Sequence, residues 1–493
     1  MQIVDEKTKI LIKNEIKSAL DAYHLCYNVQ VTNFLTNYFK EYNKTAIRSY
    51  CEKIAKMMRN TDIEVKALSL DSLKVIIKNL SQSKSDTLRV LNVFKDSLKG
   101  TDDSKENEQI KSFIPYEKDV CRLQTNRLHV IRRLIDNPES TVVSKIPGEL
   151  RNISYLYGYD KLEKVITIIG CAFKDSNGIY ILEDHENTIN MKISKNCLFG
   201  DGILSEGAPL MFTGKYSRGA FTALKIDLPP IVRIPRPQNN CKINIHDKFI
   251  ILSEVNLDNG ECLKSIHLLL NGFSQSPPKC IIFMGNFVTS PQYHGSLQEY
   301  NDGFRRLANI LKDINELHPV YKDVEYVFVP GDQDLPSSIL YPKLPLPKCI
   351  QSFFNDNLKV TFTSNPTYIT NKGQKMLICR SNNLIEKMCR DTFHSPKDVA
   401  MISEEFGKTI ISMRHIQPLP NYVLPLSPGY DNVMSLEELP DAIILGDRFK
   451  SYKHTINDCI IANPGQFCKA NDFEFMVYYP HDKSCDYSAI GSQ

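Results

Sequence analysis

Apolar residues recur at three- and four-residue spacing through the first hundred residues, with lysines and glutamates between them. This spacing places apolar side chains on one face of a helix and predicts successive amphipathic helices. Proline, which interrupts helices, is absent from residues 1–98. We expect a helical N-terminal domain over 1–98, with its apolar stripes forming a bundle core more readily than a binding groove. The stripes are Ile10, Leu11, Ile16, Ala19, Leu20 and Tyr23; Phe34, Leu35, Tyr38 and Phe39; Ile54, Met57 and Met58; and Leu88, Leu91, Val93 and Phe94.

The pattern changes twice after this region. Residues 100–112 are polar and charged, and they predict a linker within a connecting segment over 99–149. From about 150 the apolar period becomes two, with turn sequences at 176–178, 186–187 and 217–219, which predicts short strands. Several short strands within about eighty residues are typical of a small closed barrel such as an oligonucleotide/oligosaccharide-binding (OB) fold. We place this barrel at 150–238.

The predicted barrel has two possible uses. Tyr180 and Phe221 could stack on bases, and Lys215 and Arg218 could contact phosphates, as in barrels that bind single strands. The alternative, which we favour, is a barrel used only for packing against protein, because its basic and aromatic residues are sparse.

Apolar strands alternate with helical stretches from 239 to the last residue of the sequence. FIILSEV, CIIFMGNF and EYVFVPGDQD predict strands, and ECLKSIHLLLNGF and LQEYNDGFRRLANILKDI predict helices between them. Later apolar runs add strands, which predicts a pair of sheets flanked by helices. The whole chain is therefore expected to be a multidomain α+β protein.

Composition narrows the classes of function. Apolar residues make up 42% of the chain and charged residues 24%, which is normal for a globular protein. The net charge of +3 does not indicate a dedicated nucleic-acid binder. The longest basic cluster, Arg132-Arg133 with His129 nearby, is typical of a solvated helix face.

The cysteines indicate a reducing compartment, and the hydropathy indicates no membrane-spanning segment. The 14 cysteines form no CxxC pair, so neither a structural zinc site nor a disulfide framework is predicted. The N-terminal residues carry charges throughout and are not expected to be a signal peptide. No stretch approaches the ~18 apolar residues of a membrane-spanning helix.

The loops that follow the predicted strands of 239–493 carry the functional information, since functional loops gather at the carboxyl ends of strands in α/β folds. The loops read SEV at 253–255, GNFVTS at 285–290, PGDQD at 330–334, CRSNNL at 379–384 and GDRFKSYKHT at 446–455. This series resembles the calcineurin-like metallophosphoesterase pattern, in which aspartates, an asparagine and histidines after successive strands bind two metal ions.

Most of the metal-binding side chains of that pattern are replaced in this chain. Two-metal catalysis needs carboxylates and imidazoles that hold two cations ~3.5–4 Å apart. Valine cannot bind a metal ion, and asparagine lacks the charge that bridges two of them. We therefore expect no catalytic residue, no bound metal and no cofactor. The degenerate positions are Ser253 and Val255 in the first motif, Asn286 in the second, Asp332 and Gln333 in the third, and Asp447 and Phe449 in the last.

Five sequence strings of the third predicted domain are distinctive: GNFVTSP, YVFVPGDQDLPSSILYPKLPLP, NNLIEKMCR, HIQPLPNYVLPL and INDCIIANPGQF. With these strings, the helical N-terminus, the barrel and the phosphoesterase-like domain without metal ligands together resemble the B (second) subunits of replicative DNA polymerases, most closely the epsilon type.

The resemblance implies a non-catalytic accessory subunit that acts in chromosomal DNA replication and repair in the nucleus. In that family the barrel and phosphoesterase-like domains bind the cysteine-rich C-terminal domain of the catalytic polymerase subunit. The N-terminal helical domain of the epsilon type contacts the replicative helicase assembly. Contact with DNA is then expected to be mainly indirect, and no membrane is implied.

Two alternatives remain open from the residues alone. One is a single-strand-binding module that acts through the barrel. The other is an active metal-dependent phosphoesterase or nuclease with a rearranged site. Its candidate ligands would be Asp332, Asp334, Asp447, His394, His415 and His454.

Overall fold

The computed structural model describes most of the chain after residue 116 and short pieces before it. The described residues are 12–13, 16–18, 26–27, 29–38, 67–68, 73, 88–91, 117–137, 146–232, 243–289, 296–336, 340–354, 357–394, 398–469 and 472–491. The chain divides into two compact units, one comprising 1–87 and 97–107 and the other 88–96 and 108–493.

The first unit contains helix α1 (Val29–Tyr38) and two short strands, β1 (Cys26–Tyr27) and β2 (Ala67–Leu68), which pair in parallel. Val31 and Leu35 lie one turn apart on α1 and are fully buried, as an amphipathic helix requires. The β1–β2 pair was not predicted. Most of the predicted helical stripes of 1–98 lie outside the described residues; among them are Ile10, Leu11, Ala19, Leu20, Tyr23, Phe39, Ile54, Met57, Met58, Val93 and Phe94.

The prediction of a helical stripe through Leu88 and Leu91 is wrong. Residues Arg89–Leu91 form strand β3, and Val90 lies opposite Ile369 in an antiparallel pair with a strand of the second unit. Leu88 and Val90 pack against the core between that unit's two sheets. The apolar pattern of residues 88–91 is compatible with a helix or a strand. Pairing with a free sheet edge and contact with an apolar core decide that the segment is a strand.

After β3, the next described element of the second unit is helix α2 (Glu117–Ile135), inside the segment predicted as a connecting region. A closed barrel follows, because β5 pairs with both β6 and β8 and so joins the two ends of the strand order. Apolar side chains at alternate positions fill its interior. Its strands are β4 (Glu149–Leu150), β5 (Lys161–Lys174), β6 (Tyr180–Glu183), β7 (Thr188–Phe199), β8 (Leu210–Ser217) and β9 (Ala220–Asp227).

Helix α2 packs along the outside of the barrel. Leu128 and Ile131 on α2 share a small apolar core with Ile169 and Cys171 of β5 and with Met211 of β8. The helix therefore covers one outer face of the barrel.

Two six-stranded sheets lie face to face in the remainder of the unit. The first has the order β13-β12-β11-β10-β19-β20, and β10 to β13 run parallel. The second has the order β17-β18-β16-β15-β14-β3, with β15, β16 and β18 parallel. The strands are β10 (Phe249–Ser253), β11 (Cys280–Met284), β12 (Glu325–Val329), β13 (Lys359–Phe362), β14 (Thr367–Asn371), β15 (Gln374–Arg380), β16 (Ala442–Gly446), β17 (Tyr452–Ile456), β18 (Cys459–Asn463), β19 (Glu474–Tyr479) and β20 (Ser484–Ala489).

Helices cover the outer face of each sheet, so the parallel strands are apolar on both faces. In β10, Phe249 and Ile251 face the opposite sheet, whereas Ile250 and Leu252 face the outer helices. Asn259 caps the N-terminus of the helix over Gly260–Gly272, and its side chain accepts a hydrogen bond from the backbone N–H of Glu261 at 2.9 Å. The helices are α3 (Gly260–Gly272), α4 (Ser296–Leu317), α5 (Lys348–Gln351), α6 (Leu384–Arg390), α7 (Ile402–Met413) and α8 (Asp431–Met434).

The predicted alternation of strands and helices after residue 239 is thus present, as is the pair of sheets. Within the described parts of the chain, no helix has both the length and the apolar composition needed to cross a bilayer.

Candidate functional site

The loops after β10, β11, β12, β15 and β16 meet where the carboxyl ends of the two sheets converge. Their backbones approach so closely that glycine is required at two positions. A β-carbon at Gly285 would clash with the carboxylate of Asp334, and one at Gly331 would clash with Asn286. The strand-end loops therefore form one packed cluster.

Arg380, the last residue of β15, lies at the centre of this cluster and is fully buried. Its guanidinium pairs with the carboxylate of Glu254 and donates to the carbonyl oxygen of Gly285. It also donates to the carbonyl oxygens of Gly446 at 2.8 Å and Ser381 at 2.9 Å. Burial lowers the pKa of Arg380 to about 9, so the side chain remains charged at neutral pH.

Glu254 joins the two sheets at this point. The residue follows β10 with a φ of 59° and is buried. Its Oε1 accepts hydrogen bonds from Arg448 Nε at 2.9 Å and Nη2 at 2.5 Å, while its Oε2 pairs with Arg380. One buried carboxylate therefore faces two guanidinium groups, and the arginines satisfy it without an added cation.

The degenerate positions after β10 and β11 are all buried. Val255 lies in the core beneath the outer helices of the first sheet, and the hydroxyl of Ser253 has no hydrogen-bond partner among the described residues. Asn286 donates to Glu254 at 3.3 Å and accepts from the backbone N–H of Gln333 at 3.0 Å. The asparagine thus links two loops.

The loop after β12 holds two carboxylates with structural partners. Asp332 accepts from the Tyr341 hydroxyl and from the backbone N–H of Asn382 at 2.9 Å, and Lys343 Nζ lies 3.6 Å away. Gln333 adds a 3.5 Å contact from its side-chain oxygen to Arg448.

Asp334 accepts hydrogen bonds from the backbone of its own loop and of the loop after β11. It accepts from the N–H groups of Phe287 at 2.8 Å and Gly331 at 2.7 Å. Burial raises its pKa to about 6, although both hydrogen bonds favour the charged form.

The two degenerate positions after β16 have structural roles: Asp447 accepts backbone hydrogen bonds, and Phe449 packs against an apolar core. Asp447 accepts from the backbone N–H of Ile385 at 3.1 Å and of Arg448 at 2.6 Å, and burial raises its pKa. Phe449 packs against the core of the second sheet and contacts Tyr452 edge-on.

The histidines proposed as ligands of a rearranged metal site are held by separate partners. His394 stacks on Phe199 with ring centroids 4.8 Å apart. His415 bonds to Asp431 at 3.1 Å, and His454 bonds to Ser403 at 2.9 Å. Across the described ranges, no group of three or more His, Cys, Asp and Glu side chains is placed to bind a metal ion.

Two aromatic residues proposed for base stacking on the barrel are not available. Phe221 is fully buried in the barrel core. Tyr180 is half-buried, its hydroxyl donates to Glu206 at 2.6 Å, and Lys174 lies over its ring. Base stacking, the use of the barrel that the sequence favours less, is excluded for Phe221, because β-strand alternation turns this ring inward.

Sequence reasoning missed Glu254, Arg380 and Arg448. All three stand within the strand-end strings, in SEV, CRSNNL and GDRFKSYKHT. A charged residue directly after a buried apolar strand is the signal that could have found them. Their mutual pairing depends on the facing of two sheets and is not visible in the sequence.

Chemically, the arrangement consists of ionic groups that neutralise one another in a packed interior. The polar side chains that contact a neighbouring loop are those of Glu254, Asn286, Asp332, Asp334, Arg380 and Asp447. The cluster stabilises the strand-end loops against one another.

Two family models match this chain. Residues 249–454 match the family of the B subunits of DNA polymerases alpha and epsilon, and residues 119–230 match the OB-fold domain of proteins like DNA polymerase epsilon subunit 2. The second match includes most of helix α2 together with the barrel.

Curated relatives align over long stretches. The DNA polymerase epsilon subunit 2 of Mus musculus is 24% identical over 530 aligned positions, covering 97% of this chain and 98% of the mouse protein. The probable DNA polymerase epsilon subunit 2 of Caenorhabditis elegans is 27% identical over 352 positions, covering 66% of this chain and 65% of the relative.

Similarity to solved structures is low. An archaeal phosphodiesterase aligns with 49% of this chain and 99% of its own at 11% identity, with a TM-score of 0.26. A TM-score of this size supports no inference about this chain.

Proposed function

We propose that this chain is a B subunit of the DNA polymerase alpha/epsilon family and, within that family, the non-catalytic second subunit of a DNA polymerase epsilon complex. One observation carries the proposal. The alignment with the mouse epsilon subunit extends over nearly the full length of both chains. A match of that extent is expected of a subunit with the same role and is not expected of one shared domain.

We propose the following domain organisation for this subunit. The chain has a helical N-terminal domain at 1–98, a connecting segment at 99–149, an OB-fold barrel at 150–238 and a calcineurin-like phosphoesterase domain at 239–493. The closed barrel and the two facing sheets of parallel strands support the last two assignments.

The phosphoesterase-like domain is proposed to be inactive. The contacts of Arg380 and Arg448 with Glu254 support this, because positive side chains stand where the resemblance would place metal ions. A buried guanidinium repels cations at short range, and Glu254 is already paired. Val255 and Phe449 add apolar surface at two positions where the resemblance would place ligands.

The proposed partners are the cysteine-rich C-terminal domain of the catalytic polymerase subunit and the replicative helicase assembly. The second unit would bind the polymerase subunit and the N-terminal domain would bind the helicase, in the nucleus. The division of the chain into two compact units is consistent with two separate partners.

Copurification tests the subunit proposal. Tagged chain expressed in its own cells should recover a large polymerase subunit in equal amounts from nuclear extract. A variant without residues 1–87 should keep the polymerase subunit and lose the helicase. Recovery of the full chain without any polymerase subunit would contradict the proposal.

A metal assay tests the inactive site. Purified chain should hold less than stoichiometric manganese or zinc and should leave bis-p-nitrophenyl phosphate intact. Two bound metal ions per chain together with hydrolysis, lost in Asp332→Asn, would show an active phosphoesterase.

A further inference from the structure

Two cysteines that are far apart in the sequence lie in contact near the carboxyl end of β10. Cys262 is in the first turn of α3 and is fully buried, whereas Cys468 lies in the loop after β18 and is partly buried. The thiol of Cys262 hydrogen-bonds to the sulfur of Cys468. Both thiols are free, and we call these two residues the thiol pair.

Backbone hydrogen bonds fix the loop that carries Cys468. The N–H of Phe467 donates to the carbonyl oxygen of Ser253, the last residue of β10, at 2.7 Å. The N–H of Lys469 donates to the carbonyl oxygen of Gln466 at 3.3 Å, which closes a turn around Cys468. The loop is therefore tied to the strand that leads into α3.

Apolar packing holds both cysteines in the same place. Cys262, Phe467 and Phe473 belong to one core, and Cys468 packs against it. The rings of Phe467 and Phe473 contact each other with centroids 5.5 Å apart. On the helix side, the cap formed by Asn259 fixes the turn that contains Cys262. A disulfide requires two backbones that already hold their side chains close together, and the thiol pair meets this requirement.

The two thiols differ in their access to solvent. The hydrogen bond with Cys468 and burial both raise the pKa of Cys262 well above its ordinary value, so this thiol stays protonated at neutral pH. Cys468 is partly exposed, and a dissolved oxidant meets it first. Because Cys468 packs against an apolar core, a small uncharged oxidant is favoured over a charged one.

We propose that the thiol pair is a site of reversible oxidation, at which a hydroperoxide such as hydrogen peroxide forms a disulfide between Cys262 and Cys468. The bond would tie the first turn of α3 to the loop after β18, beside Ser253 and the strand-end cluster. In a reducing compartment the pair is expected to be open until peroxide rises.

The reaction balances in two steps. The Cys468 thiolate attacks one oxygen of hydrogen peroxide, the O–O bond breaks, hydroxide leaves, and the sulfur becomes a sulfenic acid. The Cys262 sulfur then attacks the Cys468 sulfur, and the sulfenic oxygen leaves as water with the Cys262 proton. The two sulfurs give up two electrons in total, and the peroxide is reduced to water. A dissolved thiol reverses the oxidation by disulfide exchange.

Peptide mapping of the full chain tests the proposal. Reduced chain is treated with a small excess of hydrogen peroxide, its remaining thiols are blocked, and it is digested with trypsin without reductant. A peptide containing Cys262 should be recovered linked to the peptide containing Cys468, and dithiothreitol should separate the two. Trypsin leaves Cys459 and Cys468 on one peptide, so fragment-ion sequencing must place the link at Cys468.

Trapping with dimedone, which reacts with sulfenic acids, tests the order of the steps. Cys262→Ala should raise dimedone labelling of Cys468 about tenfold, because the thiol that consumes the sulfenic acid is gone. Cys468→Ser, at a partly exposed position, should leave Cys262 reduced. The matched control is Cys349→Ser, which removes an exposed cysteine elsewhere in the second unit and should form the link like the parent chain. A thermal melt of each variant shows whether it is folded.

Three results would overturn the proposal: Cys262 stays reduced while Cys349 is oxidised, the link forms equally well in urea-unfolded chain, or Cys262→Ala leaves the dimedone labelling of Cys468 unchanged. The second result would show that the fold does not position the thiol pair. None of these results bears on copurification with a polymerase subunit, so the two proposals fail independently.

Discussion

At the scale of single residues, the strand-end cluster depends on one fully buried arginine. Arg380 contacts the loops after β10, β11 and β16 through one planar group. A guanidinium has five donors in a fixed geometry, which suits the joining of several carbonyl and carboxylate oxygens. Breaking a buried pair is costly because it leaves the other charge without a partner.

Arg380→Met should lower the free energy of unfolding by about 3–5 kcal/mol, since Glu254 then stays buried with only part of its pairing. Urea denaturation measures the change. Arg448→Met is the control, because the Arg448 side chain is 32% exposed, and it should cost clearly less. If Arg380→Met/Glu254→Gln is no more stable than Arg380→Met alone, the uncompensated charge is not the cause.

Asp334 should give stability a specific pH dependence. Its pKa is about 6 in the folded chain, against 3.8 as the ordinary value, so the folded state holds the proton more tightly. Its contribution is therefore complete below about pH 4 and is lost as the pH rises through about 6, by about 3 kcal/mol. Denaturation at pH 4, 5, 6 and 7 should show this fall in the parent chain and not in Asp334→Asn. Parallel pH profiles would contradict the assignment.

At the scale of elements, the second sheet is completed by a strand from far along the chain. β3 adds to the edge formed by β14, and Val90 lies opposite Ile369. Edge strands are held by backbone pairing together with a few apolar contacts. The pairing assigns residues 88–96 to the second unit although the residues on both sides belong to the first.

Val90→Pro should release this edge, because proline has no N–H and a fixed φ that does not fit an extended pair. Hydrogen–deuterium exchange should become faster in Thr367–Asn371, while β15 and β16 remain protected. Val90→Thr keeps the backbone and the branched shape and should exchange like the parent. Unchanged exchange in Val90→Pro would show that β3 does not protect β14.

At the scale of the whole second unit, buried polar contacts join the barrel region to the facing sheets. Arg127 of α2 bonds to Asp431 at 2.8 Å and to the carbonyl oxygen of Leu419 at 2.9 Å. The backbone N–H of Ile203 donates to Thr409 at 2.8 Å. Burial opposes ionisation of Asp431, but His415 and Arg127 outweigh it and lower its pKa to about 2.

Arg127→Met should weaken this junction by about 3 kcal/mol, because Asp431 then loses its guanidinium partner and keeps a hydrogen bond with His415, whose pKa burial lowers. Calorimetry should show one transition for the barrel and sheets of the parent chain and an earlier, separate barrel transition in the variant. Arg133→Met is the matched control on the same helix, since its pair with Glu437 is exposed and worth little. A single unshifted transition in Arg127→Met would rule out the junction.

The sequence by itself determined most of the helices and strands. It also showed that several positions hold residue types that cannot bind a metal ion. Period-two and apolar runs located the barrel strands and the strands after 239, because side-chain alternation and burial on both faces are local properties. Val255, Asn286 and Phe449 were recognisable as non-ligands from identity alone. The β3 strand was predicted wrongly because three residues carry too little periodic signal.

Only the tertiary structure decided what fills the strand-end cluster and which barrel surface is exposed. Glu254 and Arg380 are 126 residues apart and meet because two sheets present their carboxyl ends to each other. Phe221 points inward and Tyr157 outward for reasons of register and chain path that composition does not encode. The packing of the two sheets decides which residues distant in sequence meet, so the ion pairs of the strand-end cluster follow from the fold.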